Sequence, residues 1–221
     1  MALRLSEVEP RDYIFICTPT GDELPPMVEH WHKLEQLLNA ELIYLKNHTL
    51  DFWIREFTAL PNWRQRWCTR LLKIQPTIAF LKANAPCTSY VGLRADEEKR
   101  EGIYGDFATY RYPLREWGWR LAEVLGYLKD KKITIPERTD CARCYGQRLT
   151  EWKRLWRKYP DIYRSAEQQE TETGATFRSP GRDTWPASLA ELRVEFEKGR
   201  TVRGEIEDED AETQACRVCK L

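Results

Sequence analysis

The chain has 221 residues, enough for one sizeable domain with its own core, or for a domain with a small appendage. Lysine plus arginine and aspartate plus glutamate both number 35, which excludes a general electrostatic pull toward nucleic acid or an anionic membrane; any such contact has to be local. Residues 1–7 lack the apolar core of a signal peptide and no run is long enough to span a bilayer, so a cytoplasmic protein with no membrane partner is expected.

In chain order, Tyr13-Ile14-Phe15-Ile16-Cys17 is an apolar, β-rich run, followed by the breaker-rich Thr18-Pro19-Thr20-Gly21-Asp22. Pro25-Pro26 then opens a helical pattern in which Val28, Trp31, Leu34, Leu37 and Leu38 recur on one face. Glu41 to Leu45 reads as a second strand, and strand–helix–strand predicts a parallel crossover. A helix is expected over 69–82, a third strand over 88–93 and a charged turn over 94–98. A helix follows over 119–131, then a short extended piece over 132–136. Alternating strands and helices predict an α/β fold with a doubly wound, mostly parallel sheet over 1–137. Residues 138–221 form a helical extension in this reading, with Leu149, Trp152, Leu155, Trp156 and Tyr159 as a core-facing stripe and Ser188 capping a last helix over 189–198. Residues 205–212 are acidic apart from Ile206 and Ala211, and read as a solvated tether.

Seven cysteines without a secretion signal point to metal binding or thiol chemistry rather than to a disulfide framework. Cys141-x-x-Cys144 and Cys216-x-x-Cys219 are two chelating pairs, and four thiolates complete a coordination shell; zinc and a [4Fe-4S] cluster are both open. The four sulfurs are expected to converge, and failing that, Cys68 joins the first pair. Cys68 lies in the arginine-rich stretch Arg64-Gln65-Arg66-Trp67-Cys68-Thr69-Arg70, where neighbouring cations predict a lowered thiol pKa and a nucleophile or a further ligand. Cys17 and Cys87, in or beside strands, read as core residues.

Three places read as anion contacts. The turn over Thr18, Thr20 and Gly21 follows a strand, where open α/β sheets bind ligands. Gly92 and Arg94 end another strand, with Arg94 and Arg100 able to fork onto phosphate or sulfate, and Lys73 adds a point charge. Thr18, Gly21, Arg94 and Lys73 are expected to line one crevice. Arg154, Arg157 and Lys158, set among aromatics, are candidate nucleic-acid contacts, although a cationic face on an amphipathic helix is the simpler reading.

In this order the stretches 17–25, Arg66-Trp67-Cys68-Thr69 with Lys73, 91–97, Tyr112-Pro113-Leu114, and Asp140-Cys141-Ala142-Arg143-Cys144 followed by Tyr159-Pro160 resemble the phosphoadenosine phosphosulfate (PAPS) reductase-like family of adenine-nucleotide α-hydrolase and ATP-pyrophosphatase type enzymes. The variant common in phages and bacteria, with a 178–186 Arg-Ser-Pro-Gly-Arg-Asp-Thr-Trp-Pro stretch and a terminal Cys-x-x-Cys, is the nearest in pattern. The resemblance implies sulfur or nucleotide chemistry on ATP or a PAPS-like adenine nucleotide: adenylylation, or reduction of a sulfonucleotide. It also implies Cys68, Lys73, Arg94 and Arg100 as catalytic candidates; a second copy of the chain is a further candidate partner. The family's Ser-Gly-Gly-x-Asp-Ser phosphate loop is absent from these residues, as is the Glu-Cys-Gly-(Leu or Ile)-His motif of true PAPS reductases. The expectation is therefore that the encoding DNA carries a strand and phosphate loop upstream of Met1. The alternative is a non-catalytic, metal-containing binding module that contacts nucleic acid or a protein.

Overall fold

The computed structural model describes residues 1–100, 105–136 and 138–205. It is a mixed α/β structure in which helices predominate and four short strands make two separate parallel pairs. No helix among the described residues is long and apolar enough to cross a membrane.

Helix α1 (Ala2–Val8) precedes β1 (Phe15–Cys17). α2 (Pro25–Leu38) starts on prolines whose missing N–H groups cost nothing in a first turn, and ends where Asn39 turns left-handed at φ 48°. β2 (Leu42–Tyr44) then pairs in parallel with β1, Ile16 opposite Ile43. The crossover is as expected, but the strands are three residues long and α2 buries no residue fully. Two such strands present too little surface to cover the helix stripe, and Val28, Leu37, Ile14 and Ile43 stay exposed. β3 (Thr88–Tyr90) pairs in parallel with β4 (Thr109–Arg111) in the second sheet. The Tyr13 and Tyr90 rings meet edge to face at 5.5 Å, and Arg111 grips Glu9 at 2.9 Å and Glu116 at 2.6 Å, tying the chain before β1 to the β3–β4 pair.

Between the two sheets, α3 (Leu50–Phe57) is capped by Thr49, whose hydroxyl accepts the Phe52 N–H at 3.2 Å, and it buries Leu50 and Ile54. α4 (Trp67–Thr69) runs through a π-helical stretch (Arg70–Ile74) into α5 (Gln75–Ala83). Pro76 has no N–H to return to Leu72, so the ordinary ladder cannot run unbroken past this point. α6 (Pro113–Glu116) and α7 (Leu121–Asp130) follow β4.

The C-terminal helices are α8 (Leu149–Lys158), α9 (Pro160–Thr173) and α10 (Leu189–Glu197), the last capped by Ser188 as expected. Trp152, Tyr163, Leu189 and Leu192 are fully buried here, with Trp152 edge-on to Tyr163 at 6.3 Å and 5.8 Å from Phe177. One buried cluster joins these side chains to Leu24, Leu50, Ile54, Trp67 and Leu72, so the main core crosses residue 137.

The 174–188 loop is held by two buried groups. Arg178 forks onto Asp183 at 2.8 and 3.0 Å and donates to the Pro186 carbonyl. Glu170 accepts the Phe177 N–H at 2.8 Å and the Leu189 N–H at 2.6 Å. Burial pushes the Glu170 carboxyl from 4.5 up to about 7, more than those two bonds pull it back. Between these values the folded chain holds a proton that the unfolded chain has released, so stability falls as pH rises, by up to about 1.4 kcal/mol per pH unit. Urea unfolding of wild type and Glu170→Gln from pH 4.5 to 7.5 checks this. The variant is expected to lose that slope, whereas parallel curves contradict it.

Candidate functional site

The Thr20–Asp22 turn and the Cys141–Cys144 loop, 121 residues apart, are built into one another. Asp22 accepts the Arg143 amide at 2.8 Å and its guanidinium at 2.6 Å (Nε) and 2.5 Å (Nη2), while the Ala142 N–H donates to the Asp22 carbonyl at 2.6 Å. Arg143 also reaches Asp51 on α3 at 2.8 Å. Both Asp22 and Arg143 are about 5 % exposed, so this ion pair sits in the interior, where attraction is strong only because desolvation has already been met by several bonds. Burial pushes the Asp22 carboxyl up, and the Arg143 guanidinium and amide pull it back. The Thr20 hydroxyl lies 3.3 Å from Cys141 Sγ.

Gly21 makes the turn possible. Its φ is +74°, and a Cβ there would lie 2.7 Å from Thr49 Cγ2. The turn does offer N–H donors to an anion, but the anion is internal: Glu23 takes the Thr20 N–H at 2.6 Å, the Thr20 hydroxyl at 2.7 Å and the Gly21 N–H at 2.9 Å. The Thr20 and Gly21 donors expected for an external anion are thus occupied by Glu23, and of Thr18, Thr20 and Gly21 only Thr20 reaches the adjoining cavity.

That cavity, of about 160 Å³, opens between this double loop and the α4–π segment. Cys68, Cys141 and Cys144 supply three thiols to its wall. Lys73, Arg66, Arg100 and Arg143 supply cations, Asp140 supplies a carboxylate, and Thr20, Thr69 and Tyr145 supply hydroxyls. Cys68, Thr69, Leu72 and Lys73 share one face of a continuous helix, which is why one element contributes a thiol, a hydroxyl and an ammonium together. Arg100 is oriented by Glu97 at 2.7 Å.

Burial favours the neutral form of all three thiols. Burial pushes Cys141 up to about 12, against the opposing pull of Lys73 and of the Thr20 hydroxyl, and it raises Cys144 as well. Cys68 corrects the expectation of a lowered pKa. Burial raises it, outweighing the hydrogen bonds from Thr69 and the charges of Lys73 and Arg66. The neighbouring cations visible in the sequence are present, but the enclosing residues come from 61–72 and 140–145 and dominate. Cys17 and Cys87 are half-buried rather than core residues, because both strands lie in two-stranded sheets.

Lys73, Thr20 and Arg100 thus meet, whereas Thr18, Gly21, Gly92 and Arg94 do not line the cavity. Arg94 folds back onto Asp96 at 2.9 Å and Glu97 at 3.5 Å within its own turn, and Gly92 faces the Met1 side chain. Cys216 and Cys219 lie outside the described residues. Among those described, no group of three or more histidine, cysteine, aspartate or glutamate side chains is arranged to hold a metal ion. On α8 two of the aromatics that alternate with Arg154, Arg157 and Lys158 are spent on packing, Trp152 in the core and Trp156 on Phe196 at 5.5 Å, while Tyr159 lines a shallow pocket with Arg154. Sequence reasoning passed over Arg66, Arg143 and Tyr145 as cavity residues; the repeated Arg-Trp-Cys and Arg-Cys-Tyr neighbourhoods were the available signal.

No family model, curated protein or solved structure matches this chain.

Proposed function

We propose that this is a PAPS reductase-like protein that binds the anionic end of an adenine nucleotide, ATP or a PAPS-like sulfonucleotide, against the cysteines of this cavity and carries out sulfur chemistry there. A doubly wound α/β sheet is the fold that goes with this reading. The supporting observation is that Thr20, Cys68, Lys73, Cys141 and Cys144, from separate stretches that carry the resemblance, line one cavity together with Arg100, and that its three thiols share the wall with four cationic side chains, Arg66, Lys73, Arg100 and Arg143, against the single Asp140 carboxylate. At about 160 Å³ the cavity is smaller than the roughly 300–1,000 Å³ of a typical small-molecule site. It suits a phosphate or sulfonate group, with the sugar and base outside. Lys73, Arg66 and Arg100 would hold that group by charge-assisted bonds, the strongest kind open to a polar ligand. Cys141 and Cys144 are held ready as a thiol pair by the Asp22–Arg143 link. With Cys216 and Cys219 the pair would hold zinc or a [4Fe-4S] cluster, which metal analysis and the absorption spectrum of anaerobically purified protein would reveal.

The experiment is a calorimetric titration of the full-length chain with ATP and with PAPS. Saturable binding is expected, weakened about tenfold by Lys73→Ala, since one hydrogen bond to a charged group contributes roughly 1.5–3 kcal/mol. Arg94→Ala is expected to bind as wild type. Absence of binding by either nucleotide, or equal loss in both variants, contradicts the reading.

A further inference from the structure

We propose that the face built by residues 52–70 binds single-stranded nucleic acid. In a chain with no net charge, this stretch carries four arginines against a single glutamate, and it holds five aromatic residues. The aromatics are only partly used by the core. Trp63 is 61 % exposed, with the Arg64 guanidinium 5.0 Å above its ring. Phe57, 44 % exposed, stacks on Trp53 at 5.1 Å and stands edge-on to Trp67 at 5.3 Å. Phe57 and Trp67 line an open groove of about 480 Å³ whose other walls are Gln65, Arg66 and Arg70.

The chemistry of the groove selects the partner. It contains no aliphatic side chain, whereas the centre of a protein interface is closed and apolar. Flat aromatic faces interleaved with guanidinium groups are what a single strand requires: bases stack without regard to sequence, and arginines follow the phosphates. The surface is also preset. Thr58 ends α3 in a left-handed turn, and Asn62 Oδ1 accepts the Arg64 and Gln65 N–H groups at 3.0 and 2.9 Å, so the loop that carries Trp63 is held by its own bonds. Arg66 lines both this groove and the thiol cavity, so the two openings adjoin. The inference stands on this surface alone and does not depend on nucleotide binding in the cavity.

The test is fluorescence anisotropy of a labelled single strand of about 12 nucleotides, within the usual footprint of such sites, titrated with the full chain over a series of salt concentrations. Saturable binding is expected, weakening as salt rises and weaker still for the same sequence as a duplex. Trp63→Ala is expected to lower affinity about tenfold, the loss of one stacked base, with an unchanged thermal unfolding curve. Combined Arg64→Ala and Arg70→Ala is expected to flatten the salt dependence. No saturable binding at low salt overturns the proposal, as does binding indifferent to Trp63→Ala. Loss of binding on Arg154→Ala, Arg157→Ala and Lys158→Ala together, with Trp63→Ala unaffected, likewise overturns it by assigning the contact to α8.

Discussion

Replacing Arg143 by methionine is expected to destabilise the chain by about 3–5 kcal/mol, because it leaves the Asp22 carboxylate buried without its counter-charge. For a chain of this length that corresponds to a fall in melting temperature of roughly 6–20 °C. The Asp22 side chain is 3 % exposed and that of Arg143 is 5 % exposed, so water cannot replace the lost partner. Methionine keeps much of the stem's volume, which separates the electrostatic loss from a cavity effect. Adding Asp22→Asn should recover part of the loss, since the amide oxygen can still accept the Arg143-position N–H while the uncompensated charge is gone. The same link orients Cys141 beside Thr20, so alkylation of Cys141 should quicken in Arg143→Met even under conditions where the chain remains folded. A melting temperature within a degree or so of wild type would mean that the pair does not hold the double loop together.

Much of the fold was legible where a single element carries its own periodicity. The strand at Phe15–Cys17, the helix opened by Pro25-Pro26, the strand at Leu42–Tyr44, the helix over Leu121–Asp130 and the Ser188-capped helix follow from local pattern. α3 was missed because its apolar and aromatic residues are nearly contiguous, and the informative signal, Thr49 as cap with Asp51 in the first turn, is a terminal one. β4 was missed because Thr-Tyr-Arg, between Phe107-Ala108 and Tyr112-Pro113, gives too short a run to separate from a loop. The site was legible in part. Cys68 with Lys73, and the 141–144 pair, could be picked out from local chemistry, and they do share a cavity. Three features could not be read locally. Glu23 fills the turn's own donors, which only the folded turn reveals. Asp22 finds Arg143 across 121 residues. Cys68 is enclosed by residues from the 140–145 segment, and that enclosure reverses the direction its arginine neighbours imply.

The central claim is that an adenine nucleotide places its anionic end among Cys68, Cys141 and Cys144. Alkylation footprinting reads this directly, since the same three thiols that would meet the ligand are also the reporters. The full-length chain is treated with iodoacetamide at pH 9, where a larger fraction of these raised thiols is ionised, and modification of each cysteine is followed by mass spectrometry. With ATP or PAPS at 100 times its dissociation constant, the open fraction falls about 100-fold. Cys68, Cys141 and Cys144 should slow together by approaching that factor, while Cys17 and Cys87, which do not line the cavity, keep their rates. Rates at Cys68, Cys141 and Cys144 that stay unchanged with a nucleotide that calorimetry shows to be bound would put the ligand elsewhere and contradict the account.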